Sequence, residues 1–253
     1  MIDTRIIPVL LLQNKGLVKT VKFKNPTYIG DPINAVKIFN EKEVDELVFL
    51  DILAYRHGGP RFDVIASITN ECFMPLCYGG GIENIDHIKK IFSLGVEKAA
   101  INSCAQKDAE LVKKAAQIFG SQSIIISIDV KRNIFQKMEV VTCGGTKKTS
   151  LDPVQYAVMM EEMGAGELMV NSVDRDGTMK GYDIELVEKI AKTVNIPVIA
   201  CGGAGKLADF GAAAKAGASA AAAGSMFVFY GPNRAVLINY PTRQEIKEAL
   251  NYH

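Results

Sequence analysis

Residues 123–129, SIIISID, form a short run of apolar and β-branched side chains that is typical of a buried strand. Seven further runs of this kind occur, and stretches with helical periodicity, such as 83–94, 108–118 and 183–193, lie between them. The eight predicted strands are 5–11, 46–52, 75–79, 98–102, 123–129, 167–172, 197–201 and 219–223. Apolar strands that alternate with amphipathic helices indicate a parallel sheet covered by helices. Eight such units in 253 residues predict an α/β protein with one closed (β/α)8 barrel of the TIM type, rather than an open sheet.

The two halves of the chain resemble each other. The first strand, RIIPVLL, aligns with 123–129 and pairs Leu11 with Asp129. Further matched pairs are Glu46/Glu167, Gly80/Gly202, Gly81/Gly203, Gly95/Gly217 and Ser103/Ser225. Self-similarity at about half the chain length predicts two half-barrels of four strand–helix units, about 1–120 and 121–253.

The composition excludes several classes of protein. The formal net charge is +1, from 29 basic and 28 acidic side chains, so the basic excess of a nucleic-acid-binding surface is missing. The five cysteines show no C-x-x-C spacing and only three histidines occur, so we expect no metal and no organic cofactor. The chain has no apolar run of membrane-spanning length and no signal-peptide pattern, which predicts a soluble, cytoplasmic protein.

Glycines follow the third and seventh predicted strands, and small polar residues follow the fourth and eighth. In a barrel of this type ligands bind at the C-terminal ends of the strands, where glycines let backbone N–H groups approach a phosphate. One such set alone would indicate only a tight turn. Two matched sets predict a ligand with a phosphate at each end. The first station comprises Gly80, Gly81, Asn102 and Ser103, and the second station comprises Gly202, Gly203, Gly224 and Ser225.

Two polar segments follow strands on the same face. The stretch 13–30 carries several lysines and is long enough to be a lid loop over the site, although a run of lysines is more often only a solvated surface. Residues 174–178, DRDGT, form a second polar loop after the sixth predicted strand. Further residues expected on the active face are Asp51, Asp174, Asp176 and Thr178.

Nine segments carry a family resemblance that extends over nearly the whole chain. They are RII near the start, DELVFLDI (45–52), GGGI (79–82), FGSQ (119–122), IDVKR (128–132), GAGE (164–167), DRDGTMKGYD (174–183), ACGGAGK (200–206) and GSMF (224–227). In this order they resemble the cyclase subunit (HisF) of imidazole glycerol phosphate synthase.

The resemblance implies a cyclase-lyase reaction in histidine biosynthesis. Ammonia attacks a bis-phosphorylated phosphoribulosyl-formimino carboxamide nucleotide, and the products are imidazole glycerol phosphate and an aminoimidazole carboxamide nucleotide. The resemblance also implies a glutaminase subunit (HisH-like), docked on the N-terminal face of the barrel, that supplies ammonia through the barrel core.

The resemblance further implies an ammonia gate at the bottom of the barrel. The matching positions are Arg5, Glu46, Lys98 and Glu167. Charges at this place are costly to bury unless they are paired, so the same four residues could equally form a neutral structural plug. Asp45 and Glu97 are nearby in sequence and are expected to contribute to the partner-docking surface.

The family reaction uses two carboxylates, one after the first strand and one after the fifth, as general base and general acid. Asp129 matches the fifth-strand position, and Lys19 is carried over as a second catalytic residue. The first-strand carboxylate falls on Leu11, or on Leu12 if the alignment shifts by one, and neither side chain can accept a proton. Loss of one member of an acid–base pair typically costs about 10²–10⁴-fold in rate.

Three functions are compatible with this pattern. The first is a working cyclase subunit. The second, which we favour for the pathway, is an ammonia-conducting partner of a glutaminase and a sugar amidotransferase in surface polysaccharide biosynthesis, because it explains a complete gate beside a lost carboxylate. The third is a HisA-like sugar-phosphate isomerase, against which Leu11 and the four charges both count. An ammonia-accepting synthase subunit with a glutaminase partner is common to the first two. A phosphorylated small molecule is the expected ligand.

Overall fold

The predicted strands form one closed sheet in the computed structural model, which describes residues 4–250. The strands are β1 (Arg5–Gln13), β2 (Gly16–Val21), β3 (Lys24–Gly30), β4 (Leu47–Asp51), β5 (Leu76–Gly79), β6 (Lys98–Ile101), β7 (Ile124–Arg132), β8 (Met138–Thr142), β9 (Lys147–Lys148), β10 (Glu167–Ser172), β11 (Val198–Cys201), β12 (Ala220–Ala223), β13 (Phe229–Tyr230) and β14 (Ala235–Val236). The helices are α1 (Pro32–Glu41), α2 (Phe62–Thr69), α3 (Ile85–Ser93), α4 (Ser103–Lys107), α5 (Ala109–Phe119), α6 (Pro153–Glu162), α7 (Ile184–Ala191), α8 (Leu207–Lys215), α9 (Ser225–Val228) and α10 (Arg243–Leu250).

The barrel consists of β1, β4, β5, β6, β7, β10, β11 and β12, in that spatial order, and β12 pairs with β1 to close it. All eight contacts are parallel, so the prediction of a (β/α)8 barrel is confirmed. The alanines of β12 are all buried, and this weak strand former is held between β1 and β11.

Side chains of the barrel strands alternate between two apolar layers. Outward-facing residues such as Leu10 and Phe49 pack against the helices, while inward-facing residues such as Ile7, Val48 and Met169 fill the barrel interior. This alternation follows from the two-residue period of a strand, and it assigns each residue of β1 to one side. Leu11 points inward and Leu12 is fully buried on the helix side.

The stretch 13–30, predicted as a loop, is instead an antiparallel hairpin, and that prediction was wrong. β1 continues beyond the barrel and pairs with β2, which pairs in turn with β3. Four successive residues of β2, from Leu17 to Thr20, are buried, which would not occur in a solvated loop. The lysines divide accordingly, because Lys19 is buried while its neighbours Lys15 and Lys22 are exposed.

The same succession of elements occurs after the fifth barrel strand. β7 extends past the barrel to pair with β8, and β8 pairs with β9. Each hairpin is followed by a helix with an aspartate N-cap and a proline in its first turn, Asp31–Pro32 at α1 and Asp152–Pro153 at α6. Both halves of the barrel therefore send one hairpin over the C-terminal face. Within residues 4–250, no helix is long and apolar enough to cross a membrane.

Candidate active site and charged ring

Four charged side chains form a closed ring at the N-terminal ends of the barrel strands. Lys98 Nζ lies 2.9 Å from Glu46 Oε2 and 3.1 Å from Glu167 Oε1. Arg5 Nη2 lies 3.1 Å from Glu167 Oε2, and Arg5 Nη1 contacts Glu46 Oε2. Each cation therefore contacts both carboxylates, and the predicted gate residues are assembled as one group.

The ring is largely withdrawn from water. The Glu46 side chain is 3% exposed, and its Oε1 has no hydrogen-bond partner. Burial opposes the charged form of Arg5, but attraction to Glu167 and Glu46 outweighs it and raises the Arg5 pKa above its ordinary value. Removing a cationic partner from either carboxylate would cost free energy, because a buried charge without a partner is strongly unfavourable.

Asp45 and Glu97 lie at the same end of the barrel and bind strand backbone. Ile6 N donates to Asp45 Oδ2 at 3.0 Å, and Leu76 N donates to Glu97 Oε2 at 2.7 Å. Both residues are exposed, so they combine a strand-capping hydrogen bond with a negative surface at the N-terminal face. Their part in partner docking stays a prediction.

An apolar interior separates the ring from the opposite, C-terminal mouth of the barrel. Its buried members are Ile7, Val9, Val48, Cys77, Ala100, Ile125, Met169, Ile199, Ala220 and Ala222. Burial raises the pKa of the Cys77 thiol well above its ordinary value, so this residue is a neutral part of the lining.

Asp129 is the carboxylate of the mouth, on the inner side of β7. It is 7% exposed, and its oxygens accept hydrogen bonds from Asn102 Nδ2 at 3.0 Å and Asn171 Nδ2 at 3.2 Å. Burial raises the Asp129 pKa to about 7, against the effect of the two amide donors, which favour the ionised form. A carboxyl group with this pKa can accept or donate a proton near neutrality.

Leu11 occupies the opposite side of the mouth. β1 and β7 are separated by three strands in either direction around the barrel, so their inward-facing ends lie across from each other. Leu11 packs against the apolar interior and is the register partner of Leu50 on β4. The alternation of β1 assigns the missing first-strand carboxylate to Leu11 rather than to Leu12. The inward-facing end of β7 is therefore polar, whereas that of β1 is apolar.

Lys19 reaches the mouth from β2 of the first hairpin. Its side chain is buried, its ammonium group donates to the carbonyl of Val9, and it lies against Gly224 of the second station. Burial lowers the Lys19 pKa to about 8, although the nearby Asp176 works in the opposite direction. A cation beside Gly224 is the charge that a bound phosphate would require.

The loop 174–178 is joined to this hairpin rather than open to solvent. Asp176 Oδ2 accepts from Thr20 Oγ1 at 3.0 Å and from Phe23 N at 3.4 Å, and burial raises the Asp176 pKa. Asp174 Oδ2 accepts from the backbone N–H of Arg132, at the end of β7. Thr178 is used locally, because its hydroxyl donates to a carbonyl of the same loop.

The glycines and polar residues of each predicted station lie at the ends of adjacent strands. In the first station, Ser103 Oγ donates to Asn102 Oδ1 at 3.0 Å and accepts from Cys143 N at 2.9 Å. Cys143 belongs to the turn between β8 and β9, so the second hairpin covers the first station. In the second station, the buried Ser225 begins α9 beside Gly224. The stations differ in that only the second has Lys19 against its glycine.

Asp51 lies at the C-terminal end of β4, where it forms a buried ion pair. Its carboxylate is fully buried, accepts from Arg61 Nε at 2.6 Å and from Leu53 N at 3.1 Å, and lies behind Gly80. Arg61 also donates to the carbonyl of Asn14, in the turn between β1 and β2. This ion pair therefore fixes the first hairpin to the first station.

Sequence reasoning missed Arg61 and Asn171. Asn171 could have been found, because it lies an even number of residues after Glu167 in a predicted strand and so faces inward at the mouth. Arg61 gave no such signal, since it lies in a loop and its partners are distant in sequence.

Comparison with known proteins identifies relatives of the whole chain. A model of the family described as histidine biosynthesis protein matches residues 5–232. A Pseudomonas aeruginosa protein, provisionally named imidazole glycerol phosphate synthase subunit hisF2, is 54% identical over 243 residues, covering 95% of this chain and 97% of that protein. A Leptospira interrogans protein, provisionally named subunit HisF of the same synthase, is 47% identical and covers 100% of both chains. The imidazole glycerol phosphate synthase subunit HisF of Streptomyces griseus is 42% identical, covering 89% of this chain and 90% of that protein.

Proposed function

The chain belongs to the histidine biosynthesis protein family, and from that membership we propose that it is an imidazole glycerol phosphate synthase subunit of the HisF type that receives ammonia from a glutaminase. The observation that carries this proposal is the closed ring of Arg5, Glu46, Lys98 and Glu167 below an apolar interior. A ring of two cations and two anions is neutral as a whole, and an apolar passage favours neutral ammonia over a charged ion. The glutaminase would dock on the N-terminal face, around the exposed Asp45 and Glu97.

The mouth supports a ligand with two phosphates. The two stations lie at the ends of different pairs of strands, and each offers glycine backbone and a serine. Lys19 adds a positive charge at the second station and, with a pKa of about 8, is mostly protonated at neutral pH. Asp129, between the stations, would exchange a proton with the reacting part of the ligand.

Leu11 favours a second candidate function, in which the barrel conducts ammonia without catalysing cyclisation itself. The family's acid–base pair needs a second carboxylate across the mouth from Asp129, and the strand there carries Leu11 beside Leu50. Lys19 reaches this side of the mouth, where its contact with Gly224 suits phosphate binding. The thiol of Cys201 also packs against the interior. Burial raises the Cys201 pKa to about 12, so this thiol does not replace a carboxylate. Ammonia would then pass to another acceptor, for which a sugar amidotransferase of surface polysaccharide biosynthesis is our candidate.

Leu11→Asp separates the two candidates. We expect the purified chain with saturating ammonium chloride and the family's bis-phosphorylated nucleotide to turn over slowly, and Leu11→Asp to be about 10²–10⁴-fold faster. The release of imidazole glycerol phosphate measures the rate. Leu11→Asn is the matched control, because it introduces a polar group of the same shape that cannot take up a proton, and it should remain slow.

Fast turnover by the unchanged chain, with no gain in Leu11→Asp, would assign the cyclase reaction to this protein and remove the case for a conduit alone. If none of the three proteins turns over while all remain folded, the proposal of a HisF-type reaction site fails.

A further inference from the structure

Asn171 carries a buried acceptor that nothing in residues 4–250 satisfies. The residue is 7% exposed, faces the mouth from the end of β10, and its Oδ1 has no hydrogen-bond donor. A buried amide oxygen without a partner is unfavourable, so such an atom at a ligand-binding mouth indicates that a ligand supplies the missing donor.

The orientation of the Asn171 amide follows from its neighbour. Asn171 and Asp129 are direct partners in the register of β10 and β7, and Asn171 Nδ2 donates to Asp129 Oδ1 at 3.2 Å. Ionised Asp129 only accepts hydrogen bonds, so in this form the amide nitrogen of Asn171 faces Asp129 and the amide oxygen faces away from it. Asp129 Oδ2 accepts from Asn102, and each carboxylate oxygen keeps a further lone pair.

The space beside Asn171 Oδ1 is left free by Gly202. A Cβ atom at residue 202 would lie 2.5 Å from this oxygen, so any side chain there would cover it. A phosphate does not suit the position, because ionised phosphate oxygens are acceptors like Oδ1 itself. The missing group must be a donor, and the adjacent Asp129 carboxylate selects a positively charged one.

We propose that Asn171 Oδ1 and the Asp129 carboxylate form a binding site for an ammonium ion at the mouth of the barrel. The proposal rests on the proposed function, in which neutral ammonia arrives at this place from the interior. The ammonia takes up the proton of the protonated Asp129 carboxyl group, which becomes the carboxylate that pairs with the ammonium ion. An ammonium ion can donate four hydrogen bonds, and its positive charge is opposite to that of the ionised Asp129 carboxylate. The charged and titratable groups around the site are Asp129, Asp176, Lys19 and Cys201, of which the two aspartates attract a cation and Lys19 opposes it.

The site can be tested without substrate or partner. The protein is labelled with 13C at aspartate side chains, and Asp129 is titrated by NMR in ammonium chloride and, at equal ionic strength, in tetramethylammonium chloride. The Asp129 signal is identified by its loss in Asp129→Asn. Bound ammonium should lower the Asp129 pKa by about one, because a nearby opposite charge favours the ionised form. In Asn171→Leu the two salts should give the same pKa.

Asn102→Leu is the matched control. Asn102 also gives one hydrogen bond to Asp129, but its Oδ1 already accepts from Ser103, so it offers no free acceptor. The difference between the two salts should survive in Asn102→Leu. Equal pKa values in both salts in the unchanged protein, or an undiminished difference in Asn171→Leu, would overturn the proposal. An equal effect of potassium chloride would also overturn it, since the site would then be a general cation site.

The failure of this proposal and the failure of the proposed function can be distinguished. An ammonium effect on Asp129 together with inactive Leu11→Asp protein would refute only the reaction site. Ammonium-driven turnover by Leu11→Asp without any ammonium effect on Asp129 would refute only the ammonium site.

Discussion

Asp129 and Leu11 face each other across the barrel mouth in surroundings of opposite polarity. Asp129 is held by two amide side chains, whereas Leu11 packs against the apolar interior beside Leu50. Two amide donors stabilise the ionised carboxylate, yet burial outweighs them. Asp129 is therefore a carboxyl group held at a cost in folding free energy, which is typical of a functional position.

Asp129→Asn should flatten the pH dependence of folding stability. The folded-state pKa of about 7 lies above the ordinary value of 3.8, so between these values the folded protein retains a proton that the unfolded chain has lost. The free energy of unfolding of the unchanged protein should therefore fall as pH rises from about 4 to about 7, by on the order of 3–4 kcal/mol from this group. Urea unfolding of both proteins at about pH 4, 6 and 8 measures the effect, because these values span the range in which the folded protein loses the Asp129 proton.

Asp63→Asn is the control, because it removes an exposed carboxylate without touching the mouth. Its stability should follow that of the unchanged protein through the pH series. If the free energy of unfolding of Asp129→Asn also showed the same pH dependence as that of the unchanged protein, burial would not determine the titration of Asp129.

The two hairpins are the elements that convert a closed barrel into a site. The β2–β3 hairpin brings Lys19 to the second station, and the turn between β8 and β9 brings Cys143 N–H to Ser103 of the first. Loop 174–178 binds the first hairpin through Asp176 and through a close approach of Gly177 to the backbone of Thr20. The position of Lys19 therefore depends on contacts between elements far apart in sequence.

Gly177→Ala should loosen this contact. Gly177 has a φ of +68°, and a Cβ atom there would collide with the carbonyl oxygen of Thr20. We expect a loss of about 3 kcal/mol or more in the free energy of unfolding, from the left-handed conformation and the collision together. Hydrogen exchange should increase at the β2 amides.

Gly144→Ala separates these two contributions. Gly144 has nearly the same φ, +64°, but no atom lies within 4 Å of the position of its Cβ. Gly144→Ala should lower the free energy of unfolding by only about 1–2 kcal/mol and leave the β2 amides protected from hydrogen exchange. Equal losses in both variants would mean that Gly177 is not a packing contact between the loop and the hairpin.

The barrel strands were predictable because each is a short apolar run between helical patterns, and β10 coincides with the predicted 167–172. The hairpins were not predicted, because β2 and β8 pair with the C-terminal ends of β1 and β7, and a single sequence does not show that pairing. The Asp51–Arg61 ion pair was equally hidden, since a single sequence does not show which charges meet in space. The mouth could be predicted residue by residue only where strand alternation fixed the direction of a side chain.

The whole barrel is organised along its axis. The charged ring lies at one end, the two predicted phosphate stations and Asp129 lie at the other, and an apolar interior connects them. In the proposed function, ammonia from the N-terminal face passes the ring and the interior, whereas ammonium added to the solution reaches the mouth directly. Only the first route therefore depends on the ring.

Lys98→Ala tests this difference, in the Leu11→Asp protein and with a co-expressed HisH-type glutaminase subunit. The change removes both contacts of Lys98 and leaves Arg5 as the remaining cation of the ring. We expect the rate with glutamine to differ from that of the Leu11→Asp protein whose ring is intact. The rate with saturating ammonium chloride should be the same in both proteins. Product release under each nitrogen source gives the ratio of the two rates.

Lys37→Ala is the matched control. Lys37 on α1 pairs with Glu71, just after α2, at 3.4 Å, but both side chains are more than a third exposed and the pair lies outside the barrel. Its loss should leave the ratio of glutamine-driven to ammonium-driven rates unchanged. If Lys98→Ala lowered both rates by the same factor, the ring would be a structural plug of the barrel bottom, and ammonia would have to reach the mouth by another route.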